Sequence, residues 1–275
     1  MATAVQGTLL IIGGAEDKEG PCTILKRFVE LSGGRDSRIS IMAMASEKPG
    51  EVGEVYSRVF HTLRAGRIDV IEINRREEAV TSKYEKVLLE STGIFFSGGD
   101  QLRITSIIGG TLLDEIVHRK FEEGVVVAGT SAGASAMSDF MIVDGNDEDP
   151  PKKCTTKLAP GMGFLEECVV DQHFAQRGRI GRLLAAVAQN PYILGIGIDE
   201  DTAIELGKDQ VLTVIGSQSV TIIDGRSIRH SNTSEQDPDK PLALTDVLLH
   251  VLPVGYGFDL RRRRPVTNNE KRHNE

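Results

Sequence analysis

Short apolar runs alternate with amphipathic stretches along the first two hundred residues of the chain. Each run spans three to seven residues and is rich in Ile, Val, Leu or Phe, which is typical of buried strands. The amphipathic stretches predict helices, and this alternation predicts an α/β fold with a mostly parallel sheet flanked by helices on both faces. The predicted strands are 8–12, 38–44, 68–73, 93–97, 125–128, 168–170 and 193–198, and the predicted helices are 21–31, 49–64, 83–90, 111–121 and 177–189.

The last third of the chain has a different pattern. Its short apolar runs are separated by turns rich in Gly, Asp and Ser, which is typical of hairpins. The pattern therefore predicts an antiparallel C-terminal extension of the same sheet, so that residues 1–260 form a single α/β domain. Residues 240–252 predict a final helix or an irregular cover. The three apolar runs are 202–206, 210–215 and 219–223.

Composition and charge narrow the class of protein. Of the 275 residues, 40% are hydrophobic and 26% charged, which is ordinary for a globular chain. Lys and Arg number 32 against 40 Asp and Glu, and the formal charge of −8 argues against nucleic acid or an anionic membrane as the main partner. The arginine run at 261–264 does not change this, because residues 261–275 predict a polar, disordered tail.

Cysteine usage and the N-terminal residues bear on the compartment. The three cysteines, Cys22, Cys154 and Cys168, include no C-x-x-C pair, so neither a disulfide framework nor a zinc knuckle is predicted. The first apolar stretch is stopped by Gly13 and Gly14 and has no basic start, so we expect no signal peptide and a cytoplasmic protein. Because the sequence contains no H-E-x-x-H, dinucleotide or phosphate-loop motif, we predict no metal and no cofactor.

The most specific local motif is GTSAGAS at residues 129–135. It follows the apolar run 125–128, and G-x-S-x-G between a strand and a helix is typical of a nucleophile elbow. Such a turn would raise the Ser131 hydroxyl above the carboxyl ends of the strands, facing the N-terminal N–H groups of the next helix. A tightly packed Gly/Ser/Ala turn without chemistry is the alternative. The strand before the motif favours the nucleophile.

A serine hydroxyl becomes a good nucleophile only when a base takes its proton. Of the six histidines, His173 alone follows a buried run in this half of the chain, so we expect it at the same sheet edge. Residues 199–201 end another apolar run and would supply the carboxylate that orients the imidazole. The residues themselves leave Asp199, Glu200 and Asp201 open, and a solvated acidic turn is the alternative. The order of serine, histidine and acid differs from that of the α/β-hydrolases.

Acyl transfer also requires backbone donors for the oxyanion of the intermediate. The N–H of Ala132 directly follows the candidate nucleophile. The second donor is expected from the SGGDQ loop at 97–101, which follows an apolar run and includes Gly99. Gln101 would open the next helix and face the same crevice.

Five motifs, in this order along the chain, resemble those of the cyanophycinases, serine exopeptidases of the peptidase E-like family. The resemblance extends from about residue 7 to residue 223. The fold of that family resembles the class I glutamine amidotransferase domain, which accounts for the order of serine, histidine and acid. The motifs are IIGGAEDK at 11–18, SGGDQLR at 97–103, AGTSAGA at 128–134, VVDQHF at 169–174 and GIGIDEDT at 195–202.

The resemblance implies hydrolysis of cyanophycin, a storage polymer with a poly-aspartate backbone and an arginine on each β-carboxyl, to β-aspartyl-arginine dipeptides. It implies that Ser131 is the nucleophile, His173 the general base and acid, and Glu200 the orienting carboxylate. It also implies a homodimer. The residues that match positions lining the substrate groove of the family are Gln101, Asp171, Gln172, Arg177, Arg179 and Arg182.

The arginines after the histidine independently suit free carboxylates on a substrate, which guanidinium groups bind in a bidentate manner. A solvated helix face is the alternative. The acidic stretch 144–149 would suit substrate guanidinium groups, but a surface loop explains it equally well. Two other functions stay open: an aspartyl dipeptidase acting on Asp-X dipeptides, which the trailing arginines disfavour, and a catalytically silent binding protein on the same fold, which the intact Ser131, His173 and Glu200 disfavour.

Overall fold

Helices and strands alternate along the first two hundred residues in the computed structural model, which describes residues 7–80, 83–145 and 149–266. In these ranges the α-helices, numbered α1 to α8, are Thr23–Leu31, Pro49–Thr62, Arg76–Val80, Glu85–Leu89, Gln101–Ile108, Leu112–Glu122, Ala132–Ala136 and Ile180–Gln189. The strands, numbered β1 to β17, are Leu9–Ile12, Arg38–Met42, Arg67–Ile71, Gly93–Phe96, Val126–Thr130, Ser138–Gly145, Thr156–Pro160, Leu165–Gln172, Leu194–Ile198, Thr202–Leu206, Val211–Gly216, Ser219–Asp224, His230–Ser231, Leu244–Thr245, Leu248–Pro253, Gly257–Asp259 and Arg264–Val266.

The larger of the two main sheets has a parallel centre and an antiparallel side. Strands β3, β2, β4, β5 and β1 lie side by side and run parallel. Strands β10, β11, β16 and β17 continue the sheet from β1 in antiparallel pairs. Because β5 lies between β1 and β4, the chain segments that leave these three strands meet at one edge of the sheet.

The second main sheet has the order β15-β12-β9-β8-β6-β7. Strands β6, β8 and β9 run parallel, and β7, β12 and β15 are antiparallel to their neighbours. The predicted α/β fold with mostly parallel strands flanked by helices is therefore confirmed. The parallel strands are divided between two sheets, however. Strand β6, which follows α7 in the chain, pairs with β7 and β8 and does not extend the sheet that contains β5.

Three apolar clusters hold the layers together. The first lies between the two sheets and includes Leu9 and Ile11 of β1 and Val170 of β8. The second covers the other face of the larger sheet under α1 and α2 and includes Leu10 and Ile12, and the third lies under α8 on the other face of the second sheet. Alternate residues of β1 thus enter different clusters, and burial on both faces explains the unbroken apolar runs of the sequence.

The segment 240–252 differs from the prediction, since within the described residues it contains no helix. Strand β15 begins in this segment and pairs along its whole length with β12. Pairing with a distant strand has overridden the local pattern, which is common for strands at the side of a sheet. In the part of the chain that the structure describes, no helix is both long and apolar enough to cross a membrane.

The predicted disordered tail is wrong for residues 261–266. Strand β17 pairs with β16, and Arg263 before it is only 8% exposed. The Arg263 guanidinium donates to the Tyr192 carbonyl oxygen at 2.6 Å and lies 3.4 Å from a carboxylate oxygen of Asp224. The run of arginines therefore contains a buried anchor as well as solvated side chains. The rest of the predicted tail, residues 267–275, lies outside the described residues.

Candidate active site

Ser131 lies between the end of β5 and the start of α7, as the G-x-S-x-G motif predicts. Its φ of 52° and ψ of −112° lie outside the regions that L-residues favour. The Ser131 N–H donates to the carbonyl oxygen of Ile12 at 3.0 Å. A Cβ added to Gly129 would lie 2.5 Å from the carbonyl oxygen of Gly133, so the glycines of the motif allow α7 to pack closely on the strand that precedes Ser131.

His173 directly follows β8 and reaches Ser131 from the second sheet. Its backbone N–H donates to the Gly13 carbonyl oxygen at 2.8 Å. The imidazole packs on Gly14, where an added Cβ would lie 2.4 Å from the ring and φ is +96°, so a glycine is required at this position. The His173 Nε2 lies 3.0 Å from the Ser131 Oγ. The predicted hydroxyl and imidazole are therefore in hydrogen-bond contact.

Glu200 is the acid of the 199–201 turn that meets the imidazole. Its Oε1 lies 2.6 Å from the His173 Nδ1. Asp199 points elsewhere and accepts a serine hydroxyl of β12 at 2.8 Å. Asp201 accepts the backbone N–H of Asp17 at 2.9 Å. The flanking aspartates therefore hold the turn, and the three-way choice that the sequence left open is resolved in favour of contact through Glu200.

The environment of His173 favours the neutral ring. Burial lowers its pKa below the ordinary value of 6.5, the Glu200 carboxylate opposes this, and the charges of Arg177 and Arg179 add to the lowering. Because Nδ1 faces a carboxylate, that nitrogen carries the proton and Nε2 presents its lone pair to Ser131. The arrangement can therefore accept a proton from the serine hydroxyl near neutral pH.

The glycine loop after β4 borders the elbow. A Cβ added to Gly98 would lie only 3.3 Å from the Ser131 Cβ. Asp100 caps α5 by accepting a backbone N–H at 2.8 Å, which fixes the end of this loop. Among the residues that the structure describes, none accepts a hydrogen bond from the N–H of Gly99 or of Ala132. Both groups are thus available as donors.

Asp171 has no exposed surface, so the prediction that it lines a substrate groove is wrong. The Arg182 guanidinium binds it in a bidentate manner, with Nε 2.6 Å from Oδ2 and a second bond to Oδ1. An Arg179 nitrogen lies 3.5 Å from the same Oδ1. We call Asp171, Arg179 and Arg182 the ion-pair cluster. A buried carboxylate must be paired, and these arginines supply that pairing. The two arginines are themselves 5% and 6% exposed, and substrate binding by them stays a prediction.

The three other predicted groove residues differ in exposure. Gln101 opens α5 and is half-buried, and its Nε2 donates to the Ile142 carbonyl oxygen at 2.5 Å. Gln172 is 8% exposed and its Oε1 accepts from Arg179 at 3.1 Å. Arg177 is exposed, and within the described residues no side-chain partner is found for its guanidinium. Arg177 is therefore the predicted cation most open to a ligand.

Sequence reasoning missed a residue that supports the acid. Gln176 accepts the backbone N–H of Glu200 through its Oε1 at 3.0 Å. The residue belongs to a single 3-10 turn, Ala175–Arg177, that follows His173. An exposed glutamine has no pattern of its own, and only its spacing of three residues from the histidine would have marked it.

The acidic stretch at 144–149 stays without a role. Residues 146–148 lie outside the described residues. Asp144, near the end of β6, accepts from the Lys157 ammonium at 2.8 Å, and both side chains are well exposed. This contact is an ordinary surface ion pair, which contributes little to stability.

Comparison with known proteins identifies what the chain is similar to. The sequence model of Peptidase family S51 matches residues 9–214. A cyanophycinase of Nostoc sp. (strain PCC 7120 / SAG 25.82 / UTEX 2576) is 38% identical over 261 residues, which cover 94% of this chain and 88% of that protein. A cyanophycinase of Geminocystis herdmanii (strain PCC 6308) is 37% identical over 267 residues, 97% of this chain and 98% of the relative.

Solved structures support the fold. A peptidase from an acI-B1 Actinobacterium superposes with a TM-score of 0.64 and 19% identity, covering 90% of this chain and 98% of that one. A candidate peptidase E protein of Listeria monocytogenes EGD-e gives a TM-score of 0.52 at 14% identity, covering 77% and 98%. At these identities the likeness concerns the fold alone.

Proposed function

The chain belongs to peptidase family S51, and on this premise we propose that it is a serine exopeptidase that hydrolyses cyanophycin to β-aspartyl-arginine dipeptides. The observation that carries the proposal is the line of contacts from Ser131 Oγ to His173 Nε2 at 3.0 Å and from His173 Nδ1 to Glu200 at 2.6 Å. Full-length similarity to cyanophycinases, at 37% and 38% identity, supports the choice of substrate.

The reaction proceeds in two halves through an ester on Ser131. In the first half the Ser131 Oγ attacks the backbone carbonyl carbon, and its proton passes to Nε2 of the neutral His173. The tetrahedral intermediate collapses, the peptide C–N bond breaks, and the imidazolium returns the proton to the departing amine. Water then attacks the ester with the same proton transfers, releasing the acid product and the free serine. Glu200 holds the ring through Nδ1 and balances its transient charge.

Two backbone donors are assigned to the oxyanion. The N–H groups of Gly99 and Ala132 belong to the glycine loop beside the elbow and to the residue after Ser131, and neither is used by another described acceptor. Fixed donors of this kind act where negative charge develops, and losing one typically costs about 10²–10³ in rate.

Substrate recognition is assigned to the side chains that follow His173 and to the start of α5. The exposed Arg177 guanidinium suits a free carboxylate of the polymer end, since guanidinium groups bind carboxylates through two parallel hydrogen bonds. Gln101, Gln172, Arg179 and Arg182 complete the proposed groove. In this proposal the buried Asp171 does not contact the substrate. Its carboxylate holds the Arg182 guanidinium in a fixed orientation.

The proposed assembly follows the family resemblance, and the proposed location follows the cysteines and the N-terminal residues. The proposal is a homodimer of single-domain protomers in the cytoplasm, acting without nucleic acid or membrane as a partner. Two of the three free cysteines are buried, and the third, Cys154, is exposed, which suits a reducing compartment. Light scattering after size exclusion tests the dimer, because a protomer mass of 29.9 kDa would contradict it.

Incubation with purified insoluble cyanophycin, followed by mass spectrometry of the soluble fraction, tests the activity. We expect β-aspartyl-arginine as the main product, and the variant Ser131→Ala serves as the matched control. Parallel incubation with the dipeptide Asp-Leu separates the two peptidase functions. Turnover of Asp-Leu alone would contradict the proposal and support an aspartyl dipeptidase, whereas turnover of neither substrate would support a binding protein.

A further inference from the structure

A buried acid lies directly behind the elbow. Glu16 is 4% exposed, and its carboxylate accepts the Tyr56 hydroxyl and the Thr130 hydroxyl, each at 2.6 Å. The Lys18 ammonium, which reaches solvent, lies 2.9 Å from the same carboxylate. Burial and the neighbouring Glu16 charge raise the pKa of Tyr56 well above its ordinary value, so this phenol stays a donor. Burying a carboxylate is costly without such partners, and here both oxygens have them.

Thr130 connects this acid to the candidate nucleophile, because it is the residue before Ser131. The Ser131 backbone adopts a sparsely populated conformation, which persists only where the surroundings hold it. Two contacts hold the chain where Thr130 joins Ser131: the Ser131 N–H donates to the Ile12 carbonyl oxygen, and the Thr130 hydroxyl donates to Glu16. Both acceptors belong to one short segment of chain.

That segment, residues 12–17, which we call the template turn, also contacts the other two parts of the site. The carbonyl oxygen of Gly13 accepts the His173 N–H at 2.8 Å. The carbonyl oxygen of Gly14 accepts the N–H of Asp201, next to the acid that meets the imidazole, at 2.9 Å. The turn therefore touches each of the three chain segments that carry the hydroxyl, the imidazole and the carboxylate, which come from two different sheets.

We propose that Glu16 is a positioning residue that fixes the Ser131 elbow through the Thr130 hydroxyl and keeps it in register with His173. The inference rests on the proposed function, in which Ser131 is the nucleophile. Glu16 acts through other residues and does not contact the substrate. A carboxylate serves two hydroxyl donors with two oxygens, whereas the amide of a glutamine offers a single acceptor oxygen. Glu16→Gln therefore loses the negative charge and one acceptor oxygen, and places an N–H2 group where a hydroxyl or the Lys18 ammonium donates, without a large change in shape.

Four variants test the role. Thr130→Val removes the hydroxyl at nearly constant shape, Thr130→Ser keeps it, and Glu16→Gln alters the acceptor. Ser40→Ala is the matched control, since it removes a buried hydroxyl that bonds the Ser91 hydroxyl at 2.7 Å on a distant strand. The measured quantity is the second-order rate of Ser131 modification by a fluorophosphonate, together with kcat and KM on cyanophycin.

A misplacement of about 1 Å costs on the order of 10²-fold in rate, so we expect the labelling rate and kcat to fall roughly ten- to a hundredfold in Thr130→Val and Glu16→Gln. KM should stay unchanged, because no substrate contact is removed. Thr130→Ser and Ser40→Ala should label within about twofold of wild type, because neither loses the bond to Glu16. Labelling of Thr130→Val and Glu16→Gln at the rate of the Ser40→Ala control would overturn the inference.

Crystal structures of Thr130→Val and Glu16→Gln separate this inference from the proposed function. The account predicts that the Ser131 Oγ moves away from the His173 Nε2, which lies 3.0 Å from it in the wild type. Retention of that distance in both variants would overturn the positioning role, whatever the activity. Absence of fluorophosphonate labelling in the wild type would contradict the proposed function, and the two structures would still decide the role of Glu16.

Discussion

The ion-pair cluster and the candidate active site both lie at the end of β8, and they differ in how their charged side chains are buried and paired. In the ion-pair cluster the Asp171 carboxylate is fully buried and held in a bidentate manner by Arg182. In the site, the His173 side chain is 11% exposed, and the side chain of its partner Glu200 is 37% exposed. Only two positions separate Asp171 from His173, and the end of the strand with the positive φ of His173 at 48° sends the two side chains into different surroundings.

The difference in burial and pairing indicates a structural role for the ion-pair cluster and a role in proton transfer for the site. A buried carboxylate that is paired through both oxygens holds a guanidinium in place. A neutral imidazole between a hydroxyl and a carboxylate can take up and release a proton during a reaction. We therefore expect changes in the site to reduce activity without loss of stability, and changes in the ion-pair cluster to reduce stability first.

Ser131→Ala gives the largest expected effect. It separates activity from stability most clearly, because it should change the first and not the second. Loss of a nucleophile of this type lowers kcat by about 10⁴-fold or more, because no neighbouring group replaces the hydroxyl. The melting temperature should not change, since the side chain is only half-buried. Release of dipeptide from cyanophycin and calorimetry measure the two quantities. Activity near that of the wild type would show that the nucleophile lies elsewhere.

Glu200→Gln should lower kcat by about 10³- to 10⁴-fold, because an amide no longer stabilises the imidazolium or selects the ring tautomer. Asp199→Asn is the control within the same turn, as its carboxylate bonds the serine of β12 and not the imidazole. Steady-state kinetics on the polymer measure both variants. Equal losses of kcat in the two would show that the turn, and not the Glu200 carboxylate, is what matters.

Asp171→Ala should lower the free energy of unfolding by about 3–5 kcal/mol, since it leaves the buried Arg182 guanidinium without its bidentate partner. The matched control is Asp144→Ala, whose exposed pair with Lys157 should leave the unfolding midpoint almost unchanged. Urea denaturation of both variants measures the difference. Equal midpoints for the two variants would contradict the distinction between a buried cluster and a surface pair.

Arg177→Gln gives the smallest expected effect. It tests how a charged side chain near the ion-pair cluster changes the pKa of His173 in the site. Activity requires neutral His173, so kcat/KM rises as pH passes the His173 pKa from below. The Arg177 charge helps to lower that pKa, and its removal should move this rise to higher pH. KM should also increase about tenfold if a charge-assisted bond to substrate is lost. Arg58→Gln, on an exposed face of α2, is the control, and an identical pH profile for all three proteins would contradict the assignment.

The local pattern of the sequence predicted most elements, because strands buried on both faces and amphipathic helices have clear periodicities. It did not predict the division into two sheets, since the pairing of β6 with β8 depends on contacts far apart in the chain. The strand β15 was missed for the same reason. Arg263 resembled a solvated residue, because its buried partners, Asp224 and the Tyr192 carbonyl group, lie on distant segments.

The site was predictable where chemistry requires a particular residue type in a particular local setting. The elbow glycines, Ser131 and a histidine after a buried strand have that property. From the residues alone the choice of Glu200 over its neighbours was not predictable, because it depends on the directions of three consecutive side chains in a turn, although the resemblance to cyanophycinases implied it. Nor was the burial of Asp171, since pairing with Arg182 eleven residues later is visible only in three dimensions.

Mapping a fluorophosphonate adduct by peptide mass spectrometry tests the central claim most directly. The account predicts a single adduct on Ser131 in the native wild-type protein, and none on that residue in His173→Ala or after denaturation. An adduct on another residue, or equal labelling of native and denatured protein, would contradict the claim that the imidazole and the fold activate this hydroxyl.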